Sequence, residues 1–136
     1  RGGVDRALMH GHTFCGNPLG AAVAREVLAI YRDEDVLGQV AERAPLVREA
    51  FDRLAEVPGV RRTRSLGLVG AADLGEGGYL GETGWQVFEA ALARGAFLRP
   101  LGDTVYVTPP LNVPLDELRL LLEIVEASIR EALGSR

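Results

Sequence analysis

The chain has 136 residues, 47% of them hydrophobic and 25% charged, a length and balance that suit one globular domain with a real core. Its net charge of −4 argues against a nucleic-acid surface, which needs clustered positive charge, and no run nears the roughly 20 apolar residues of a membrane span. One cysteine excludes an internal disulfide and fits a reducing cytoplasm, the expected location. All 15 basic residues are arginine; there is no lysine.

In chain order, the first ten or so residues read as a loop. Asn17 is a good N-cap and Pro18 falls at the first helical position, where a missing N–H costs nothing. That predicts a helix over residues 18–32 with Leu19, Val23, Val27 and Ile30 on one face. A second helix over 35–56 carries Leu37, Val40, Ala44, Val47, Phe51 and Leu54 at helical spacing, and Pro45 inside it is expected to kink or split it. Pro58-Gly59 ends the helical half.

Residues 60–66 and 68–74 read as two short strands. The arginines at 61, 62 and 64 are the one dense basic run, and with Asp73 and Glu76 close behind they read as a solvated strand. Residues 75–84 read as a glycine-rich loop, and 85–94 as a third helix with Trp85, Phe88 and Leu92 inward. Residues 96–98 and 104–107 are expected strands around the turn at Leu101-Gly102-Asp103. From Pro114 a last helix displays Leu115, Leu118, Leu122, Val125, Ile129 and Leu133. The sum is an α+β fold, α-α-β-β-α-β-β-α, with helices packed on one face of a small, mainly antiparallel sheet.

Two stretches carry chemistry. The first is His10-Gly11-His12-Thr13-Phe14-Cys15-Gly16-Asn17-Pro18-Leu19. A zinc site from His10, His12 and Cys15 lacks a credible fourth ligand, and no metal is expected. A Cys15 nucleophile would need an orienting group and an oxyanion hole, neither visible. Cys15 reads instead as a small, half-buried filler, and His10 as a residue that shapes the loop. A phosphate-facing loop remains, with the Thr13 hydroxyl, backbone N–H donors and glycines that allow close approach. On the residues alone, a structural turn before a capped helix stands equal to it.

The second stretch runs from Phe97 through Arg99-Pro100-Leu101-Gly102, Tyr106 and Pro109-Pro110-Leu111. An arginine fork suits a carboxylate bound through two parallel hydrogen bonds. Taken singly, an arginine more often makes a surface ion pair, and a strand tyrosine more often packs. Gly67 to Leu74 reads as scaffold. Gly75, Gly77 and Gly78 form no phosphate loop, because no Gly-Lys-Ser/Thr follows them.

The first stretch resembles the His-Gly-x-Thr-Phe-x-Gly-Asn-Pro-Leu pattern of the class III aminotransferases of fold type I, in all its fixed positions. The resemblance implies pyridoxal 5′-phosphate (PLP) as cofactor, a homodimer with active sites at the subunit interface, and small-molecule substrates. It implies that Thr13 hydrogen-bonds the PLP phosphate of the neighbouring subunit, with Gly11 and His12 beside it in the cofactor-facing loop. The second stretch is similar to the C-terminal region of the biotin-pathway branch of that family. There the arginine binds the carboxylate of the keto substrate, which maps to Arg99, and a tyrosine at the position of Tyr106 lines the same pocket.

On this resemblance residues 1–32 end the large PLP-binding domain and 33–136 form the C-terminal small domain. The family's Schiff-base lysine has no counterpart here, so no catalytic residue is expected in this chain, and alone it is expected to be inactive. A start at Arg1 and the missing lysine together suggest part of a longer enzyme. The implied reaction transfers an amino group from S-adenosyl-L-methionine to 8-amino-7-oxononanoate, giving 7,8-diaminopelargonate. The alternatives are an ω-amino acid–pyruvate type of the same class and a catalytically silent α+β interaction module.

Overall fold

The computed structural model describes residues 10–76 and 78–134. The expected loop over residues 1–9 and Gly77 in the glycine-rich segment lie outside the described residues. The chain divides after Asp35 into two compact units.

In the first unit, helix α1 (Pro18–Asp33) begins where the capping residues place it. Asn17 is in an extended conformation, and its Oδ1 accepts the N–H of Leu19 at 3.0 Å and of Gly20 at 3.4 Å. Arg32 lies in the last turn, and Asp35 just beyond takes a positive φ of 47°. The apolar side chains Leu19, Val23 and Leu28 are exposed.

The second unit contains α2 (Val36–Leu54), β1 (Val60–Leu66), β2 (Val69–Leu74), α3 (Thr83–Ala93), β3 (Thr104–Val107) and α4 (Leu115–Gly134), with a 3₁₀ turn at Gly78–Leu80. The strands form one antiparallel sheet in the order β1-β2-β3. The β1–β2 hairpin turns over two residues, and Gly67 supplies the positive φ of 56° that its first position requires. Ala72, Leu74, Val105 and Val107 join Phe51, Leu54, Val87, Leu118, Val125 and Ile129 in one buried core. A Cβ at Gly70 would lie 2.2 Å from the Phe51 ring, so glycine is what lets α2 sit down on β2.

Four expectations are corrected. Of the kink or split expected at Pro45, the split is ruled out: the second helix continues through it as one element with Pro45 exposed. Leu37 is exposed with Val36 buried beside it, while Val47, Phe51 and Leu54 of the expected stripe are buried and Ala50 joins them. Helix α3 begins at Thr83, and its buried residues are Thr83, Gly84, Val87 and Ala91; Trp85 and Leu92 are exposed and Phe88 only half-buried. Close approach selects this face: a Cβ on Gly84 would stand 2.0 Å from the Gly102 carbonyl, so only small residues fit. The displaced aromatics form a row of their own, Trp85 against Phe88 at 4.7 Å and Phe88 edge-on to Phe97 at 5.5 Å.

Residues 96–98 form no strand. Gly95, at φ 92°, closes α3 with both bonds of a Schellman motif, Ala96 N–H to Ala91 C=O at 2.9 Å and Gly95 N–H to Leu92 C=O at 3.0 Å. The chain then buries Ala96 and Leu98 without joining the sheet ladder. The observed order is therefore α-α-β-β-α-β-α.

Candidate functional site

The turn after α3 is fixed by one aspartate. Asp103 is buried at the tip of the 101–104 turn. Its N–H donates to Gly78 C=O at 2.7 Å, its C=O accepts from Leu74 N–H at 2.8 Å, and its Oδ1 accepts from Thr83 N–H at 2.9 Å. The last bond serves the first turn of α3, which has no side-chain cap of its own at Glu82. Three segments are thus tied to one tip, and the arms on either side of it are positioned from there.

Those arms begin as a hairpin. Leu101 and Thr104 exchange both backbone hydrogen bonds, at 2.9 and 3.0 Å. The same register would next bring Arg99 opposite Tyr106 as a hydrogen-bonded pair. No backbone bond joins those two among the described residues; the arms part. Between them lies a cavity of about 590 Å³, lined by Phe97 and Arg99 from one arm, Tyr106 and Thr108 from the other, and Glu117 and Leu121 from α4. Arg99 is exposed and makes no ion pair or hydrogen bond among the described residues. An unpaired guanidinium beside a phenol, at a cavity mouth, can take a carboxylate in the fork geometry.

The structure brings Arg99 and Tyr106 to one cavity, and adds Thr108 and Glu117, which sequence reasoning did not single out. Thr108 follows Tyr106 by the strand alternation of two, a signal that was present. Glu117 gives no such signal, since an acid in the first turn of a helix is ordinary.

Thr13, Gly11 and His12 belong to the other unit. Thr13 opens a turn closed by Cys15 N–H donating to His12 C=O at 2.9 Å, and the His12 and Phe14 rings lie 6.5 Å apart. All of these side chains are exposed. So is Cys15, which corrects its reading as a half-buried filler. Gly11 has open space where a Cβ would be, and Gly16 holds φ 76°. The turn can therefore offer a hydroxyl and backbone donors to an anion. Among the described residues no group of three or more His, Cys, Asp or Glu could hold a metal, and no helix is long and apolar enough to cross a membrane.

A larger cavity, about 670 Å³, opens beside the sheet face that carries Arg62, Arg64 and Asp73. Here the basic run resolves into structure. The Asp73 carboxylate accepts from Arg64 at 2.8 Å, Arg62 at 3.2 Å and the Thr104 hydroxyl at 2.9 Å. Partial burial opposes its ionisation, but the hydrogen bonds from Arg64 and Thr104 and the charges of both arginines prevail and hold its carboxyl below the usual range. The cluster gathers two arginines on one acid, with one positive charge left over, and it ties β1, β2 and β3 together.

The α+β unit carries an arginine and a tyrosine facing across a parted hairpin, and the first unit a glycine-flanked threonine turn before a proline-started helix. The Aminotransferase class-III family model matches residues 3–129, and the chain belongs to that family. It is 40% identical over 120 residues to the adenosylmethionine-8-amino-7-oxononanoate aminotransferase of Synechococcus elongatus, covering 87% of this chain and 28% of the relative. It is 34% identical over 119 residues to a putrescine–pyruvate aminotransferase of Pseudomonas aeruginosa, covering 80% and 26%. The crystal structure of the adenosylmethionine-8-amino-7-oxononanoate aminotransferase of Methanocaldococcus jannaschii superposes with a TM-score of 0.81 at 27% identity, covering 91% of this chain and 30% of that one. The chain therefore spans about 30% of the length of the relatives it matches.

Proposed function

We propose that this chain is the C-terminal segment of a PLP-dependent transaminase that moves an amino group from S-adenosyl-L-methionine to 8-amino-7-oxononanoate, giving 7,8-diaminopelargonate for biotin synthesis. In this reading residues 1–32 end the large cofactor domain, residues 33–136 form the small domain, and the protein works as a cytoplasmic homodimer. The observation that carries it is the shared cavity of Arg99 and Tyr106, with the guanidinium unpaired among the described residues. Arg99 binds the substrate carboxylate and Tyr106 bounds the same space.

The turn at Thr13 suits one end of the cofactor: an exposed hydroxyl, room at Gly11 and a left-handed Gly16 let a phosphate approach the main chain. Thr13 would hold that phosphate across the dimer, flanked by Gly11 and His12. PLP, when bound, supplies the electron sink for amino transfer. This chain has no lysine, so the covalent anchor must come from another part of the protein.

The test uses the full-length protein loaded with PLP. Mixed with S-adenosyl-L-methionine, it should lose the absorbance band of the loaded cofactor, and alanine or β-alanine should leave that band unchanged. Conversion only by simple amino acids would favour the ω-amino acid–pyruvate reading, which the putrescine–pyruvate relative supports. Arg99→Ala should raise the KM for the keto acid about tenfold or more with PLP retained. Loss of PLP from that variant would show the assignment of Arg99 to be wrong.

A further inference from the structure

The cavity that holds Arg99 also has an anionic wall. Glu117, in the first turn of α4, borders the same space, and neither side chain takes part in an ion pair or hydrogen bond among the described residues. A first-turn acid complements the positive end of a helix, but its neighbour Asp116 serves that purpose equally and does not line the cavity. Two opposite charges that border one cavity of about 590 Å³, both exposed and neither paired among the described residues, suit a ligand that carries both signs. A simple carboxylic acid would leave Glu117 facing a second anion; a diamine would do the same to Arg99.

We propose that Arg99 and Glu117 together recognise a ligand with a carboxylate and a separate cationic centre, so that Glu117 is a specificity residue favouring a cationic donor over its neutral analogue. The proposal rests on Arg99 being the carboxylate partner. Both substrates in that reading pair a carboxylate with an ammonium, but in each that amine lies at or beside the carbon that reacts at the cofactor. S-adenosyl-L-methionine alone adds a second, permanent cation, the sulfonium, a few bonds along the chain. Glu117 sits where the sulfonium charge is balanced. Tyr106 and Phe97 give the same cavity an aromatic side, which tolerates a desolvated cation.

The experiment compares S-adenosyl-L-methionine with S-adenosyl-L-homocysteine, which keeps the carboxylate and lacks the sulfonium charge. Binding is titrated calorimetrically to the full-length protein in its pyridoxamine form, which cannot accept an amino group, so that affinity is read alone. The native protein should hold the sulfonium ligand about fivefold tighter. Glu117→Gln should bring the two within about twofold by weakening the sulfonium ligand only. Asp116→Asn, which removes the same charge from the same helical turn but outside the cavity, should leave the native ratio. Equal affinities in the native protein, an unchanged ratio in Glu117→Gln, or an equal collapse in Asp116→Asn would each overturn the proposal. Arg99→Ala should weaken both ligands alike. If it weakens neither, the carboxylate reading fails, while the ratio still decides the role of Glu117.

Discussion

Asp73 shows how one side chain can organise a sheet face. Its carboxylate takes both Arg62 and Arg64 across β1 and β2, and also the Thr104 hydroxyl from β3. Both arginines are substantially solvated, with side-chain exposures of 69% and 45%, so screening limits what the pairs contribute. Asp73→Asn should cost about 1 kcal/mol at neutral pH, read from urea unfolding. The pH dependence follows from the direction of the shift. A carboxyl depressed in the folded state stabilises above its unfolded pKa of about 3.9, and that contribution fades as pH falls through the lower folded value. The stabilities of the native chain and the variant should therefore converge on acidification below about pH 3.9; a gap that persists in strong acid would mean that Asp73 acts through shape and not charge. At this scale the sequence was informative where residue type and spacing coincide. Arg99 and Tyr106 were picked out through the family resemblance, since residue type alone favoured a surface ion pair and a packing tyrosine. Glu117 gave no signal, because it meets them only at a cavity assembled by α4, β3 and the loop before it.

Among the elements, α1 and α4 were the most legible, the first from its Asn17-Pro18 start and the second from its leucine and valine spacing. Helix α3 was legible in extent and not in orientation. Large apolar residues were expected to face inward, but packing against the 101–104 turn required Gly84 and Thr83 there, and no count of hydrophobicity favours those two. Helix α2 runs through Pro45, which has no N–H to donate to the carbonyl of Ala41, one turn earlier. Pro45→Ala restores that bond on an exposed turn, and should stabilise by about 1–3 kcal/mol after allowing for the looser unfolded chain. An unchanged urea midpoint would mean that the helix is already relieved locally. The parted hairpin gives a sharper test. Val105 and Val107 bond towards β2, Thr104 bonds to Leu101, and Tyr106 has no backbone partner among the described residues. Amide exchange along β3 should thus alternate, with Tyr106 fast between two slow valines. Uniform protection would mean that the arms zip together in solution.

At the scale of the molecule, the chain exposes apolar side chains on both units: Leu19, Val23 and Leu28 on α1, Leu66 and Val69 at the β1–β2 turn. Apolar surface of this kind marks an interaction face. The 136-residue chain by itself should associate, with a sedimentation mass that rises with concentration; a constant monomer mass would contradict this. Length and composition predicted one globular domain and the family resemblance a division after residue 32; the chain divides into two compact units after Asp35, where no glycine, serine or proline run marks the break. The aromatic row has an optical consequence. Trp85 is the sole tryptophan, so all indole emission of this chain comes from one ring. That ring rests on Phe88, which meets Phe97, and Phe97 lines the cavity of Arg99. A ligand that shifts Phe97 should change the colour and lifetime of that emission, giving the cavity a built-in, label-free reporter.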